Sequence, residues 1–188
     1  MIYTGIGSRS TPQPILELMR LIACCMGERG HTLRSGGARG ADTAFEEGCD
    51  LADGSKEIFV PVSSGSSYGI SHRLKDRRGQ FTNVLLEGVV ESARICAVAL
   101  LGKAHWENLT PYGRLAHARN VMQVLGIHLD TPSKAVICWT PGGSEYGGTR
   151  TALRMANEHG IPIYNLYYPD IAEAYRAKCR QHIENKNP

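Results

Sequence analysis

A chain of 188 residues has room for one complete domain with a buried core and is short for two. Its 42% hydrophobic and 21% charged residues are those of an ordinary folded globule, which excludes a disordered or fibrous chain. A net charge of only +3 admits an anionic ligand but does not mark a nucleic-acid coat.

Residues 2–4 form a short apolar strand that runs into the turn GIGSRS. Between residues 12 and 29, Ile15, Leu18, Ile22 and Met26 recur at helical spacing, with proline near the start and Gly30 at the end. A brief second strand at 31–34 leads into SGGARGAD, Ser35 to Asp42, and then a helix from about 41 to 51. A third strand at 57–60 is expected to stop at Pro61.

Segment 63–82 is polar and basic, so it is expected to be a mobile excursion over the sheet edge. Helices are predicted over 89–101 and 112–125, the second from the stripe Leu115, Ala118, Met122 and Leu125. The run 135–139, AVICW, reads as a strand buried on both faces. After it come TPGGSEYGGT, Thr140 to Thr149, a helix from about 148 to 158, a strand at 162–165 and a terminal helix from about 170. Strands alternating with helices predict an α/β fold: a single-domain, Rossmann-like three-layer sandwich with a mostly parallel sheet.

No apolar run approaches the roughly 20 residues needed to cross a membrane. The opening MIYTGIGSRS lacks the regions of a secretory signal. The six cysteines show no CxxC spacing and read as reduced thiols, so a soluble cytoplasmic protein is expected. The histidines lack metal-ligand spacing, and neither a metal nor a cofactor is expected.

The two glycine-rich turns carry most of the chemistry. Each follows a strand and opens a helix, where backbone N–H groups and the helix dipole favour an anion. In the first, Gly36, Gly37 and Gly40 let a phosphate approach the backbone, Ser35 and Arg39 flank it, and Asp42 is either a helix cap or an acid. In the second, Pro141, Gly142 and Gly143 lead to Gly147, Gly148 and Thr149, whose N–H groups and hydroxyl are candidate phosphate donors. It is not a Walker A loop, because Gly-Lys-Ser/Thr is missing. Gly7, Ser8 and Arg9 end the first strand, on the edge of the sheet where ligands collect.

The order GIGSRS, LRSGGARGAD and PGG…GGT resembles the SLOG superfamily of Rossmann-like proteins, over most of residues 1–166. SGGARGAD is similar to the glycine turn of the DprA/Smf DNA-processing proteins. PGG…GGT is similar to the PGGxGT turn of the "lysine decarboxylase-like" LOG phosphoribohydrolases. Small DprA-like proteins of bacteriophages are the nearest type. The resemblance implies a nucleotide-binding protein, and it leaves three activities open. These are hydrolysis of a nucleotide N-glycosidic bond, non-catalytic binding of a nucleotide or ADP-ribose-like signal, and binding of single-stranded DNA. It also implies a homodimer. LOG enzymes carry a glutamate three residues beyond the threonine that ends their glycine turn, and Ala152 stands there in this chain.

Other acids are therefore candidates. Glu46 lies one helical turn from Asp42 and is a candidate nucleophile or transition-state stabiliser, while Glu47 reads as a solvated charge. Arg114, His117, Arg119 and Asn120, in YGRLAHARN, are either a cationic wall for phosphate or an ordinary wet helix face, with Arg119 and Asn120 the pair to test. The run HRLKDRR is either a solvated stretch or a reach toward an anionic ligand. Tyr68, Trp106, Tyr112 and Trp139 are candidates for stacking on a base, Trp106 more so than Trp139 because its neighbours are polar.

Overall fold

The computed structural model describes residues 1–64, 67–75, 81–86, 90–145 and 147–186. Its strands and helices follow the predicted alternation. β1 (Ile2–Gly7), α1 (Gln13–Glu28), β2 (Thr32–Ser35), α2 (Ala41–Leu51) and β3 (Lys56–Ser64) form the first half. β4 (Ser67–Lys75) and β5 (Phe81–Leu86) extend one edge. α3 (Val90–Leu101), the short α4 (Lys103–Glu107) and α5 (Pro111–Leu125) lead to β6 (Val136–Trp139). Then come α6 (Arg150–Glu158), β7 (Ile163–Asn165) and α7 (Pro169–Lys186).

All seven strands lie in one sheet, in the order β5-β4-β3-β2-β1-β6-β7. The run from β3 through β2, β1 and β6 to β7 is parallel, and β4 and β5 are added antiparallel at the β3 edge. The fold is thus α/β and Rossmann-like, with helices on both faces. One face is packed by α1, α2 and α7 around Tyr3, Leu33, Ile58 and Ile137. The other is packed by α3 to α6 around Ile6, Phe59, Val136 and Cys138. Successive residues of β6 supply both cores, which is why AVICW is apolar throughout.

Local chemistry fixes several element ends. Pro111 sits in the first turn of α5, and the Thr110 hydroxyl accepts from the Gly113 N–H at 3.1 Å, capping the helix start. Gly126, with φ 84°, ends the same helix.

The expected irregular excursion over 63–82 is corrected by the fold, since its described backbone is strand. β4 pairs along the full length of β3, and β5 pairs with β4. Strand pairing satisfies backbone groups whatever the side chains, so a polar, basic run is compatible with an edge hairpin. β3 also continues through Pro61. β2 pairs only with Lys56, Glu57 and Ile58, so beyond them β3 has a neighbour on one side, where a missing N–H is tolerated. Residues 76–80, which include Arg77 and Arg78, lie outside the described residues. No helix among the described residues is long and apolar enough to cross a membrane.

Candidate functional site

Parallel order reverses at the β1–β6 boundary. Gly7 pairs with Trp139, so the two strands leave the sheet at the same level. After β1 the chain turns to α1 on one face, and after β6 it turns to α6 on the other. Divergence of this kind opens a crevice at the carboxyl ends of the strands, the place where open α/β sheets bind ligands. A cleft of about 520 Å³ lies there, within the range of small-molecule sites.

Three segments and one helix wall the cleft. Gly7, Ser8 and Arg9 come from the end of β1, Ala38 and Asp42 from the first glycine-rich turn and α2, and Pro141, Ser144 and Gly147 to Thr149 from the second turn. The fourth wall is one stripe of α5: Tyr112, Ala116, His117, Asn120 and Gln123, with Arg119 beside it. Spacing of three and four residues places them on one side of the helix.

The stripe on α5 is not a wet helix face. Asn120 and His117 are 3% and 8% exposed, with the second glycine-rich turn against Asn120 and Thr151 of α6 against His117. Arg119 Nη1 donates to the Gly36 carbonyl at 2.8 Å, and Asn120 Nδ2 donates to the Gly148 carbonyl. Two consecutive residues of α5 therefore hold the two turns, one each. A Cβ on Gly36 would overlap the Arg119 guanidinium, so a side chain there must displace the end of Arg119. Gly40, with φ 87°, brings the first turn so close that a Cβ would lie 2.8 Å from the Ser8 carbonyl oxygen.

The first turn does not act as an open phosphate cradle, as its glycines led us to expect. Its place is filled by the carboxylate of Asp42, only 4% exposed. Oδ1 accepts from the Gly7 N–H at 3.3 Å, and Oδ2 accepts from the Ala38 N–H at 3.4 Å and from Arg119 Nη1 at 3.5 Å. Burial raises the Asp42 carboxyl above its ordinary value, and Arg119 and the two N–H groups oppose that shift. Ser35 is buried and donates its hydroxyl to the Gly5 carbonyl at 2.6 Å, while Arg39 is exposed. Ser35, Gly36, Gly37, Arg39 and Gly40 therefore shape the cleft from behind rather than line it.

The second turn is open to the cleft. A short 3₁₀ turn, Gly147–Thr149, runs directly into α6. The N–H groups of Gly147 and Gly148 open this helical run, where no preceding helical carbonyl reaches them. Pro141 lines the cleft, whereas Gly142 and Gly143 do not. Thr140, at the start of this turn, is clamped by Asn165 of β7. Its N–H donates to Asn165 Oδ1 at 3.3 Å, and Asn165 Nδ2 donates to its hydroxyl at 2.7 Å. Arg9 stands exposed at the cleft and makes no ion pair among the described residues.

Glu46 is corrected as a cleft acid. Its carboxylate accepts from Lys56 Nζ at 2.9 Å and from Arg73 Nη2 at 3.2 Å, which anchors α2 to the β3–β4 edge of the sheet. It does not line the cleft, and Asp42 is the one carboxylate among the described residues that does. Glu47 pairs with Arg20. Trp106 is 5% exposed and packs in the core, so it offers no face to a base. Trp139 is also buried, against Tyr167. Tyr112 remains, half exposed on the cleft wall. The side chains of Tyr68, His72 and Lys75 lie outside the described residues, and Arg73 is the partner of Glu46.

Sequence reasoning grouped His117 with Arg119 and Asn120 but missed Gln123 as a cleft residue, although it follows the spacing of Asn120 along α5. His117 Nδ1 lies 2.7 Å from the hydroxyl of buried Thr151. Burial, with Arg150, His105 and Arg119 nearby, pushes the His117 ring down to about 4, so it is neutral at physiological pH. Among the described residues, Gln123 Nε2 is buried without a hydrogen-bond partner, beside Gly36 and Arg119. Comparison with protein-family models, curated proteins and solved structures finds no match.

Proposed function

We propose that this chain is a nucleotide-binding protein of the SLOG kind, which holds a ligand phosphate on Gly147, Gly148 and Thr149 at the start of α6. The observation that carries this reading is the position of the cleft: it sits where β1 and β6 diverge, with a glycine-rich turn and a helix N-terminus facing it. Asn120 fixes the turn by its Gly148 carbonyl, so the site is prepared before the ligand arrives. Arg9 adds a free positive charge at the cleft, and Tyr112 offers an aromatic face to a base.

The reading is of a binder rather than of a LOG-type hydrolase. Ala152, where the resemblance would place the hydrolytic glutamate, is fully buried in the core. Asp42, the carboxylate in the cleft, is engaged by three donors. Cys25, Cys138 and Cys179 are buried thiols, consistent with a reducing compartment such as the cytoplasm.

The test is a panel of nucleoside monophosphates, read by melting temperature and by chromatography for free base. A saturable rise in Tm without base release is expected. Release of base would assign hydrolysis instead. Steeply salt-dependent binding of oligonucleotides, with no response to mononucleotides, would assign single-stranded DNA.

A further inference from the structure

Asp42 is an incompletely satisfied acceptor. All three of its donors stand at 3.3 to 3.5 Å, against about 2.9 Å for a well-formed N–H···O bond. A carboxylate offers about four lone-pair sites, and among the described residues only three are engaged. Oδ1 has a single donor, the Gly7 N–H, and Gly7 and Asp42 both line the cleft. A buried carboxylate held by three long bonds gains from any further donor that reaches it.

The charge of Asp42 decides what can approach. A phosphate cannot share its end of the cleft, because two anions repel. The phosphate therefore goes to the start of α6, and the group that meets Asp42 is a donor carried by the remainder of the ligand. In a nucleotide that donor is a sugar hydroxyl or an amino group of the base. The hydroxyls lie on the ring that directly carries the phosphate. A base meeting Tyr112 on the α5 wall leaves the sugar between α6 and α2.

We infer that Asp42 accepts a ribose hydroxyl, which makes the cleft selective for ribonucleotides over dideoxynucleotides. The inference rests on the nucleotide reading above and names the sugar for it. A hydroxyl donating to Oδ1 fills the vacant lone pair, and no proton transfer is required.

The test is calorimetric titration of the full chain with adenosine, guanosine, cytidine and uridine monophosphates, each beside its 2′-deoxy and 2′,3′-dideoxy counterpart. Inosine monophosphate is included as the analogue of adenosine monophosphate without the 6-amino group. Loss of a hydrogen bond to a charged acceptor predicts roughly ten- to hundredfold weaker binding of the dideoxy ligands, with inosine and adenosine monophosphates alike. Asp42→Asn is expected to narrow the gap between ribo and dideoxy ligands to within about threefold. The wild-type comparison stands whether or not that variant folds. Equal affinity for ribo, deoxy and dideoxy ligands would overturn the inference while leaving the nucleotide reading intact. Discrimination only between inosine and adenosine monophosphates would assign the acceptor to the base and overturn it as well. Absence of binding by every nucleotide would overturn the underlying reading itself.

Discussion

His117 makes stability fall on acidification in a way that can be isolated by one substitution. In the folded chain its ring resists protonation down to about 4, whereas an unfolded histidine takes up its proton near 6.5. Between those values the unfolded state binds a proton that the folded state does not, so stability is complete above 6.5 and declines as pH falls toward about 4. At roughly 1.4 kcal/mol per pKa step, the full gap corresponds to about 3 kcal/mol, most of which is lost by pH 4.5. His117→Gln keeps an amide within reach of the Thr151 hydroxyl and removes the titration. Urea unfolding of both proteins at pH 7.5 and 4.5 is the assay. The wild type should lose about 2 to 3 kcal/mol more than the variant, a difference of roughly 1 M in midpoint for a chain of this size. The remaining histidines and the carboxylates titrate in both proteins and cancel. Parallel losses in wild type and variant would refute the reasoning, because they would mean that the ring is protonated as easily folded as unfolded.

Three further substitutions probe the walls of the cleft. Gly36→Ala drives a methyl group into the Arg119 guanidinium and should cost about 2 kcal/mol, or roughly 6 °C in Tm; an unchanged melting curve would contradict the packing. Asn120→Ala releases the Gly148 carbonyl and should weaken nucleotide binding by about tenfold in a calorimetric titration. Glu46→Gln should leave nucleotide binding unchanged while lowering stability by about 1 kcal/mol, since its partners are Lys56 and Arg73; loss of binding would return Glu46 to the site.

The architecture was legible where one residue type had to serve one environment. AVICW is apolar at every position because β6 is covered on both sides, and the stripe Leu115, Ala118, Met122 and Leu125 marks the core side of α5. The other side of α5 was not legible. Its polar residues suit water as well as they suit a cleft, and only the arrival of distant segments, Gly148 at Asn120 and Thr151 at His117, buries them. Glu46 follows Asp42 by one helical turn, yet the lateral offset between them is enough to send one to Lys56 and the other into the cleft. The two turns look equivalent as strings of glycine. They differ because the first carries its own anion, Asp42, in the first turn of its helix, whereas no acidic residue occupies the first turn of α6. The edge hairpin escaped notice because a strand on the border of a sheet needs backbone partners more than apolar side chains.

The central claim is that the start of α6 receives a nucleotide phosphate. Gly148 offers a clean perturbation: a side chain there meets open space, so Gly148→Asp should fold normally while placing a negative charge where the phosphate is expected. Calorimetric titration of nucleoside monophosphates into wild type and Gly148→Asp tests it directly. The account predicts saturable binding to the wild type and at least a hundredfold loss in the variant, with unchanged Tm. Equal affinity in the two proteins, or no binding of any mononucleotide to the wild type, would contradict it.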